Sequence, residues 1–398
     1  MFSFREAQSL LTSKVHPPGK GETVSVTDSL NRVLAEDLTN PTDHPDLAKS
    51  AVDGFALPEP SSGHYKIAGD IAAGETSIPL LRAGETFFVM TGAPVPQGSR
   101  AVIRVEDTVQ EGDRVIISGE VKENDNINQV GSEAPAGTEF ASRGDRITKG
   151  LYPALVYAGM ENVSVFPRPR IALLSSGDEL LEPGDTYRPG MTYDVNRYIF
   201  QSLAEGLPLN LEIVATLPDD RKMTGERFRE LAEEYDLVIT SGGISRGKFD
   251  YIRDVLSSPP FDLIIDRTAI RPGSPLMAAG LEKSLFMAMP GYPAAFLTNM
   301  VLYLLPLLRK MCGCSPYLPE VVKGILDTSM RSREGTDTFN RAELELRDGI
   351  VYARDPGTQK TSHFLSFARV SGLVYLDRET GILPRGSKVD IYLIENVF

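Results

Sequence analysis

Three stretches of this chain run from an apolar, strand-like segment straight into a loop of small and polar residues. They are Arg170–Leu180 (RIALLSSGDEL), Asp236–Tyr251 (DLVITSGGISRGKFDY) and Leu285–Ala295 (LFMAMPGYPAA). Ligands of open α/β sheets bind at the carboxyl ends of strands, and small residues there let backbone N–H groups approach anionic oxygens. The first two loops also carry carboxylates. Asp178 or Glu179, directly after Ser175-Ser176-Gly177, is placed to hold Mg²⁺ against phosphate oxygens, and Asp250 is a candidate second ligand. Arg246 and Lys248 could counter phosphate charge, and Arg267 and Arg271 of RTAIRPGSP could face an oxyanion in bidentate fashion. Each piece has a plainer counterpart: a helix cap, a solvated turn or surface arginines. Together they indicate a site for a small phosphate-bearing ligand. Two more loops, Ser50–Leu57 (SAVDGFAL, with Asp53) and Met90–Pro96 (MTGAPVP, with Thr91), have shapes fixed by Gly and Pro. On residue type alone they are structured loops and nothing sharper, and His363 reads as polar surface.

The elements that must position these loops alternate. Strand patterns at Ile171–Leu174, Leu211–Leu217, Leu237–Thr240, Leu263–Ile265 and Leu285–Met289 interleave with helical patterns at Tyr193–Glu205, Thr224–Glu234, Tyr251–Leu256 and Ala294–Met311. That order implies βαβ units and a mostly parallel sheet. Ser3 and Glu6 form a capping-box pattern for a short N-terminal helix. Residues 40–136 are rich in Gly and Pro, with short β-type runs at Thr86–Met90, Ala101–Val105 and Val115–Ile117, and read as a small mixed-β domain. A helical pattern around Tyr152–Ala158 precedes a strand-like Val163–Phe166. Beyond the proline-bearing linker around Pro316 the pattern is all-β, with alternation through Ala342, Leu344 and Leu346 and an Asp348-Gly349 hairpin turn. The expected architecture is a multidomain α/β plus β protein. Its central α/β domain takes residues 1–20 and 166–312, a linking domain 21–39 and 137–165, the small mixed-β domain 40–136, and a C-terminal β-barrel-like domain 316–398.

Bulk properties narrow the function. The chain has 398 residues and a net charge of −13, which argues against a nucleic-acid surface built from clustered Lys and Arg. Cys312 and Cys314 are too close for an ordinary disulfide, and with four His in the chain a Cys/His zinc site is not expected. Two reduced thiols suit a cytoplasmic protein. The N-terminus has no apolar signal-peptide core. The most apolar helix, Ala294–Met311, holds Asn299, Pro306, Arg309 and Lys310, so a buried core helix is expected rather than a membrane span.

Taken together, these motifs resemble the molybdopterin molybdenumtransferase family, which also includes the C-terminal domain of gephyrin. The resemblance is colinear over nearly the whole chain. The family's SAMDGYA stands here as SAVDGFA (Ser50–Ala56), and MTGAPVP is unchanged, with Glu106 following AVIRV. STGDEL stands as SSGDEL, YDTN as YDVN (Tyr193–Asn196), and SGGVSxGxxDY as SGGISRGKFDY (Ser241–Tyr251). PGNP stands as PGYP (Pro290–Pro293), paired acids precede a helix at Asp219-Asp220, FxR is Phe339–Arg341, and the Ser-His pair is Ser362-His363.

The resemblance implies a cytoplasmic homodimer whose cleft lies between one subunit's α/β domain and the other's mixed-β domain. It implies a transferase that inserts molybdate into adenylylated molybdopterin and releases AMP, with no nucleic acid or membrane partner and with other cofactor-pathway proteins as candidate partners. Carried over residue by residue, Glu179 and Asp250 would hold Mg²⁺. Ser175, Gly177, Gly242, Gly243 and Ser245 would line the nucleotide phosphate. Asp53, Thr91 and Asp219, with the two metal ligands, match the catalytic positions. Pro293, Arg341 and Ser362 match the molybdate pocket, with Arg271 adding positive charge. Departures cluster in the cleft. The arginines of RRRGEDI are missing from Asn128–Ala134, where Glu133 replaces Asp. Ser274 replaces the last lysine of KxxxKPGKP, Arg246 replaces a small or apolar residue, and PGNPVS has become Pro290–Ala295 (PGYPAA). Two other readings stay open on these grounds: a molybdopterin adenylyltransferase, and a non-catalytic or altered-specificity dimeric scaffold of the same fold.

Overall fold

A computed structural model describes residues 1–17, 19–175, 179–214, 220–244 and 251–394. The chain divides into two compact units, one of residues 1–36, 143–152 and 162–398, the other of residues 37–142 and 153–161.

The larger unit is built on a six-stranded sheet. In spatial order its strands are Asn210–Val214, Arg170–Ser175, Leu237–Ser241, Ser284–Met289, Met277–Leu281 and Asp262–Ile265. The first four run parallel, and the last two join antiparallel. The inner parallel strands are largely apolar because both faces are covered, whereas the edge strand Asn210–Val214 exposes Asn210 and Glu212. Ile171, Leu173, Leu237 and Ile239 enter one core, while Ala172, Leu174 and Val238 enter the other. The strand Met277–Leu281 is not signalled by the sequence pattern. It starts behind Pro275, is mostly Ala and Gly, and turns through Glu282 at φ +53° where a hairpin normally carries Gly or Asn.

Helix boundaries follow their caps. The helix Phe4–Ser13 has the expected capping box of Ser3 and Glu6. The helix expected from Tyr193 begins at Val195, because Thr192–Tyr193 pairs with Leu180–Leu181 and Asp194 is the N-cap. The helix expected from Thr224 begins at Arg221, where the Asp220 carboxylate accepts a hydrogen bond from Met223 N at 2.8 Å.

The long helix Pro293–Met311 is long and apolar enough to cross a membrane, and 89% of it is buried inside this unit. It is interrupted by a π turn over Met300–Leu304. Pro306 has no N–H to give the preceding turn. Leu302 O, four residues back, instead accepts from the Gln8 side-chain amide at 2.7 Å. Lys310 Nζ in turn donates to Thr12 O at 2.7 Å. The N-terminal helix is thus fastened at two points to the helix that follows the third loop.

The same unit ends in a closed five-stranded barrel. Its order is Asp337–Arg347, Ile350–Arg354, Val321–Leu326, Lys388–Leu393 and Gly372–Leu376, the last pairing back onto the first. The Asp348-Gly349 turn has φ of +51° and +76°, as a type I′ hairpin requires. A short strand, Ile270–Arg271, leaves the α/β region and adds to the barrel strand at Asp337–Thr338.

The smaller unit is a mixed sheet in the order Ala101–Arg104, Gly54–Leu57, Glu85–Val89, Gly63–Ile71, Arg114–Ile117 and Thr108–Glu111. Gly54 is required where two strands meet, since a Cβ there would lie 2.0 Å from Ile103 O.

Replacing Gln8 by Leu keeps the volume but leaves Leu302 O without a donor. We expect a loss of about 1–3 kcal/mol, read as a lowered midpoint in thermal or urea unfolding of the full chain.

Candidate functional site

The strands Arg170–Ser175, Leu237–Ser241 and Ser284–Met289 end side by side, with Ser175 in register with Ser241 and Ser241 with Met289. This places the ends of all three sequence-identified loops on one edge of the sheet. Gly242 and Gly243 have φ of +91° and +72°, a region that favours glycine. A Cβ on Gly243 would also meet Ile252 Cδ1 at 2.4 Å. Gly242 N donates to Met289 O at 3.0 Å, tying the second loop to the third.

Two buried residues outside the expected site hold these loops. Asn196, 5% exposed, donates through Nδ2 to Ser241 Oγ at 2.8 Å and to Gly291 O at 2.9 Å. Asp194, 6% exposed, accepts from Ser175 Oγ at 2.5 Å and from Arg197 N at 3.2 Å. The Ser175 hydroxyl hydrogen is therefore committed inside the protein, and the oxygen remains only as an acceptor. Among the described residues, what the strand ends at Ser175, Ser241 and Met289 offer an anion is main chain. The YDVN segment carried the only sequence signal for Asp194 and Asn196, and it reads there as a helix start.

Glu179 follows the first loop, is exposed, and its carboxylate has no hydrogen-bond or ion-pair partner among the described residues. Gly177, Ser245, Asp219 and Asp250 lie outside the described residues, as do Asp178, Arg246 and Lys248. Among the described residues no group of three His, Cys, Asp or Glu side chains is arranged to hold a metal.

The barrel end carries the second group. Arg341 is 1% exposed. Its Nη2 donates to Thr358 O at 2.9 Å and Lys360 O at 3.0 Å, and its guanidinium lies 4.5 Å over the Phe367 ring. Nη1 has no partner, and Arg341 makes no ion pair among the described residues. Burial pushes its pKa down from the ordinary arginine value, yet a guanidinium stays charged. Ser362 is exposed in the turn just beyond Lys360. Arg271, also exposed, is placed by the pairing of its short strand with Thr338, three residues before Arg341. The loop after Arg271 is fixed by Asn299 Nδ2, which donates to Gly273 O at 3.0 Å. Asn299 belongs to the helix that Pro293 opens, so Pro293 and Arg271 are joined through one side chain.

In the smaller unit, Asp53 and Thr91 come together although 38 residues apart. Asp53 Oδ1 accepts from Thr91 N at 2.6 Å and from Thr91 Oγ1 at 2.8 Å. Those two bonds, the backbone one foremost, hold the Asp53 carboxyl below the usual aspartate range. Beside Gly92 lies a cavity of about 700 Å³ lined in part by Asp43, His44, Lys49, Asn128 and Glu133. Glu133 accepts from Tyr157 OH at 2.8 Å, which raises the tyrosine pKa. The stretch Asn128–Ala134 thus brings a carboxylate to this wall and no arginine.

A doubly covered α/β sheet with a glycine-lined ligand edge, continued into a closed barrel that buries an unpaired arginine, defines a multidomain protein for a small anionic ligand. Three family models match in chain order: MoeA N-terminal region (domain I and II) over residues 2–159, probable molybdopterin binding domain over 172–310, and MoeA C-terminal region (domain IV) over 323–394. The molybdopterin molybdenumtransferase of Staphylococcus aureus (strain COL) is 30% identical over 382 residues, covering 94% of this chain and 91% of that one. The enzyme of the same name from Staphylococcus epidermidis is 28% identical over 391 residues, 96% of this chain and 93% of its own. The crystal structure of the molybdopterin biosynthesis MoeA protein from Pyrococcus horikoshii superposes with a TM-score of 0.84 at 25% identity, covering all of both chains. The chain belongs to the molybdopterin molybdenumtransferase family of molybdenum cofactor biosynthesis.

Removing one of the two donors to Asp53 tests that carboxylate. In Thr91→Val the Asp53 pKa is expected to rise toward the ordinary aspartate value, measured by NMR titration of the side-chain carboxyl. The linkage sign follows from the depression. The stabilisation is present above the unfolded aspartate pKa and is lost as pH falls through the folded one, so variant and wild type should converge in stability in acid.

Proposed function

We propose that this chain catalyses insertion of molybdate into adenylylated molybdopterin, with cleavage of the phosphoanhydride and release of AMP. The observation that carries the reading is Arg341, a buried guanidinium that no carboxylate pairs, set in the barrel whose strand Asp337–Arg347 also holds the Arg271 segment. The Asp355 carboxylate acts on that guanidinium through space without bonding it, and a buried cation without an ion-pair partner favours an anion beside it. The main chain around Gly242 and Gly243 would cradle the nucleotide phosphates. Arg271, Pro293, Arg341 and Ser362 would receive the oxyanion. Asp53, whose carboxyl the bonds from Thr91 hold below the usual aspartate range, and Asp219 would complete the catalytic set.

The donor chemistry at Glu179 suits Mg²⁺, which takes one or two carboxylates together with substrate phosphates. Glu179 offers such an oxygen free of any partner among the described residues, and Asp250 would be the second ligand. The ion would supply charge neutralisation and orient the leaving phosphate. We read the chain as four domains with the boundaries given by its sequence, acting in the cytoplasm as a homodimer. In that arrangement the smaller unit of one subunit would serve the α/β domain of the other.

One observation favours a second reading, a scaffold of the same fold without turnover. The wall at Asn128–Ala134 carries Glu133 bonded to Tyr157 in place of arginines.

Purified protein given Mg²⁺, molybdate and adenylylated molybdopterin should release AMP, and omission of molybdate should abolish the release. Glu179→Gln should slow it by about tenfold or more, with AMP binding measured without Mg²⁺ unchanged. No AMP from the wild type under the full conditions sinks the transferase reading. Tight ligand binding without turnover supports the scaffold, and adenylylation of molybdopterin from ATP would assign the preceding step instead.

A further inference from the structure

Tyr292 is 65% exposed, although it stands between a fully buried strand and a mostly buried helix. Its backbone is held on both sides. Tyr292 O accepts from Ala295 N and Phe296 N, each at 2.9 Å, and Gly291 O accepts from the buried amide of Asn196 at 2.9 Å. The side chain gives no capping bond to the helix it precedes. The loop also packs on the phosphate-side glycines, since a Cβ on Gly291 would lie 3.5 Å from Gly242 Cα. A rigid backbone therefore sets a solvent-facing aromatic ring at the ligand edge of the sheet. It sits between the Gly242-Gly243 loop and Pro293, where the family motif has asparagine.

We infer that Tyr292 is a specificity-determining residue that stacks on the pterin ring of the substrate. This rests on the transferase reading above. A stacking platform must be flat and exposed, and Tyr292 is both, on a backbone that its neighbours hold in place. The choice of ring follows from position. Tyr292 lies toward the oxyanion residues, being one residue from Pro293 and on the helix whose Asn299 fixes the Arg271 loop. The substrate's dithiolene, which takes the metal, hangs from the pterin and not from the adenine. A ring that stacks recognises flat ligands by area more than by hydrogen bonding.

The test measures binding rather than turnover. Molybdopterin released anaerobically from a molybdoenzyme, and separately AMP, are titrated into the full chain. The protein has no Trp, so pterin fluorescence is read against a low background. Tyr292→Ala should weaken molybdopterin binding about 5- to 100-fold, the range for one lost aromatic stack. Tyr292→Phe should stay near wild type, and AMP affinity should hold in both. Unchanged molybdopterin affinity in Tyr292→Ala overturns the inference, whether or not sedimentation shows an altered oligomer. A loss confined to AMP overturns it in favour of adenine, and a Phe variant as weak as Ala overturns stacking in favour of the hydroxyl. Wild-type protein that binds neither ligand sinks the transferase reading and this inference with it. Wild-type binding that Tyr292→Ala leaves intact sinks the inference alone.

Discussion

The ligand edge of the sheet depends on one buried amide. Parallel strands are held along their length by backbone bonds, but where they end the loops that follow have no ladder to hold them. Asn196 supplies that constraint from the neighbouring helix, with one hydrogen to Ser241 Oγ and the other to Gly291 O. Gly242 N on Met289 O closes the same junction from the main chain. The serine hydroxyl on the first loop is drawn inward by Asp194 in the same way. The hydroxyls of Ser175 and Ser241 at the strand ends are thus engaged in holding loops.

This division explains what the sequence makes legible. The parallel strands are readable because burial on both faces demands continuous apolar residues, as in Ile171–Leu174. Met277–Leu281 is opaque because its small residues pack without showing any period. Pro306 announces a fault in the last helix of the α/β region. The repair depends on Gln8, 294 residues away, and no local pattern contains that. The same holds for the site. Residue types place the glycine loops and Glu179 on one edge, whereas Asp53 and Thr91 acquire meaning only through a bond across 38 residues. The resemblance of whole motifs implies a role for them, and the bond shows the two side chains held together. Asn196 stands in the YDVN motif without a legible task, because a helix-start pattern does not say which strand ends its side chain will reach.

The barrel shows how a charge is kept available. A buried guanidinium is commonly matched by a carboxylate, which would spend its charge within the protein. Arg341 is instead lodged on two backbone carbonyls and an aromatic face. The two carbonyl dipoles take the Nη2 hydrogens without cancelling the charge, and Nη1 is left without a partner among the described residues. The short strand Ile270–Arg271 then makes the α/β region and the barrel parts of one hydrogen-bonded assembly, so Arg271 and the Arg341 strand share a register.

The fastening of Gln8 and Thr12 to the last helix of the α/β region has a bearing on how the molecule is made. The helix Phe4–Ser13 finds its partner only some three hundred residues further along the chain. Until then its apolar face, including Ala7 and Leu11, stays uncovered. The smaller unit lies entirely within that interval, and most of its strand pairings close locally. The protein is in effect a clasp, with one half at the head of the chain and the other at the end of the α/β region, and the intervening unit forms inside an open loop. Closing so long a loop carries its entropy cost late. The helix Phe4–Ser13 therefore completes the α/β core from far away in sequence.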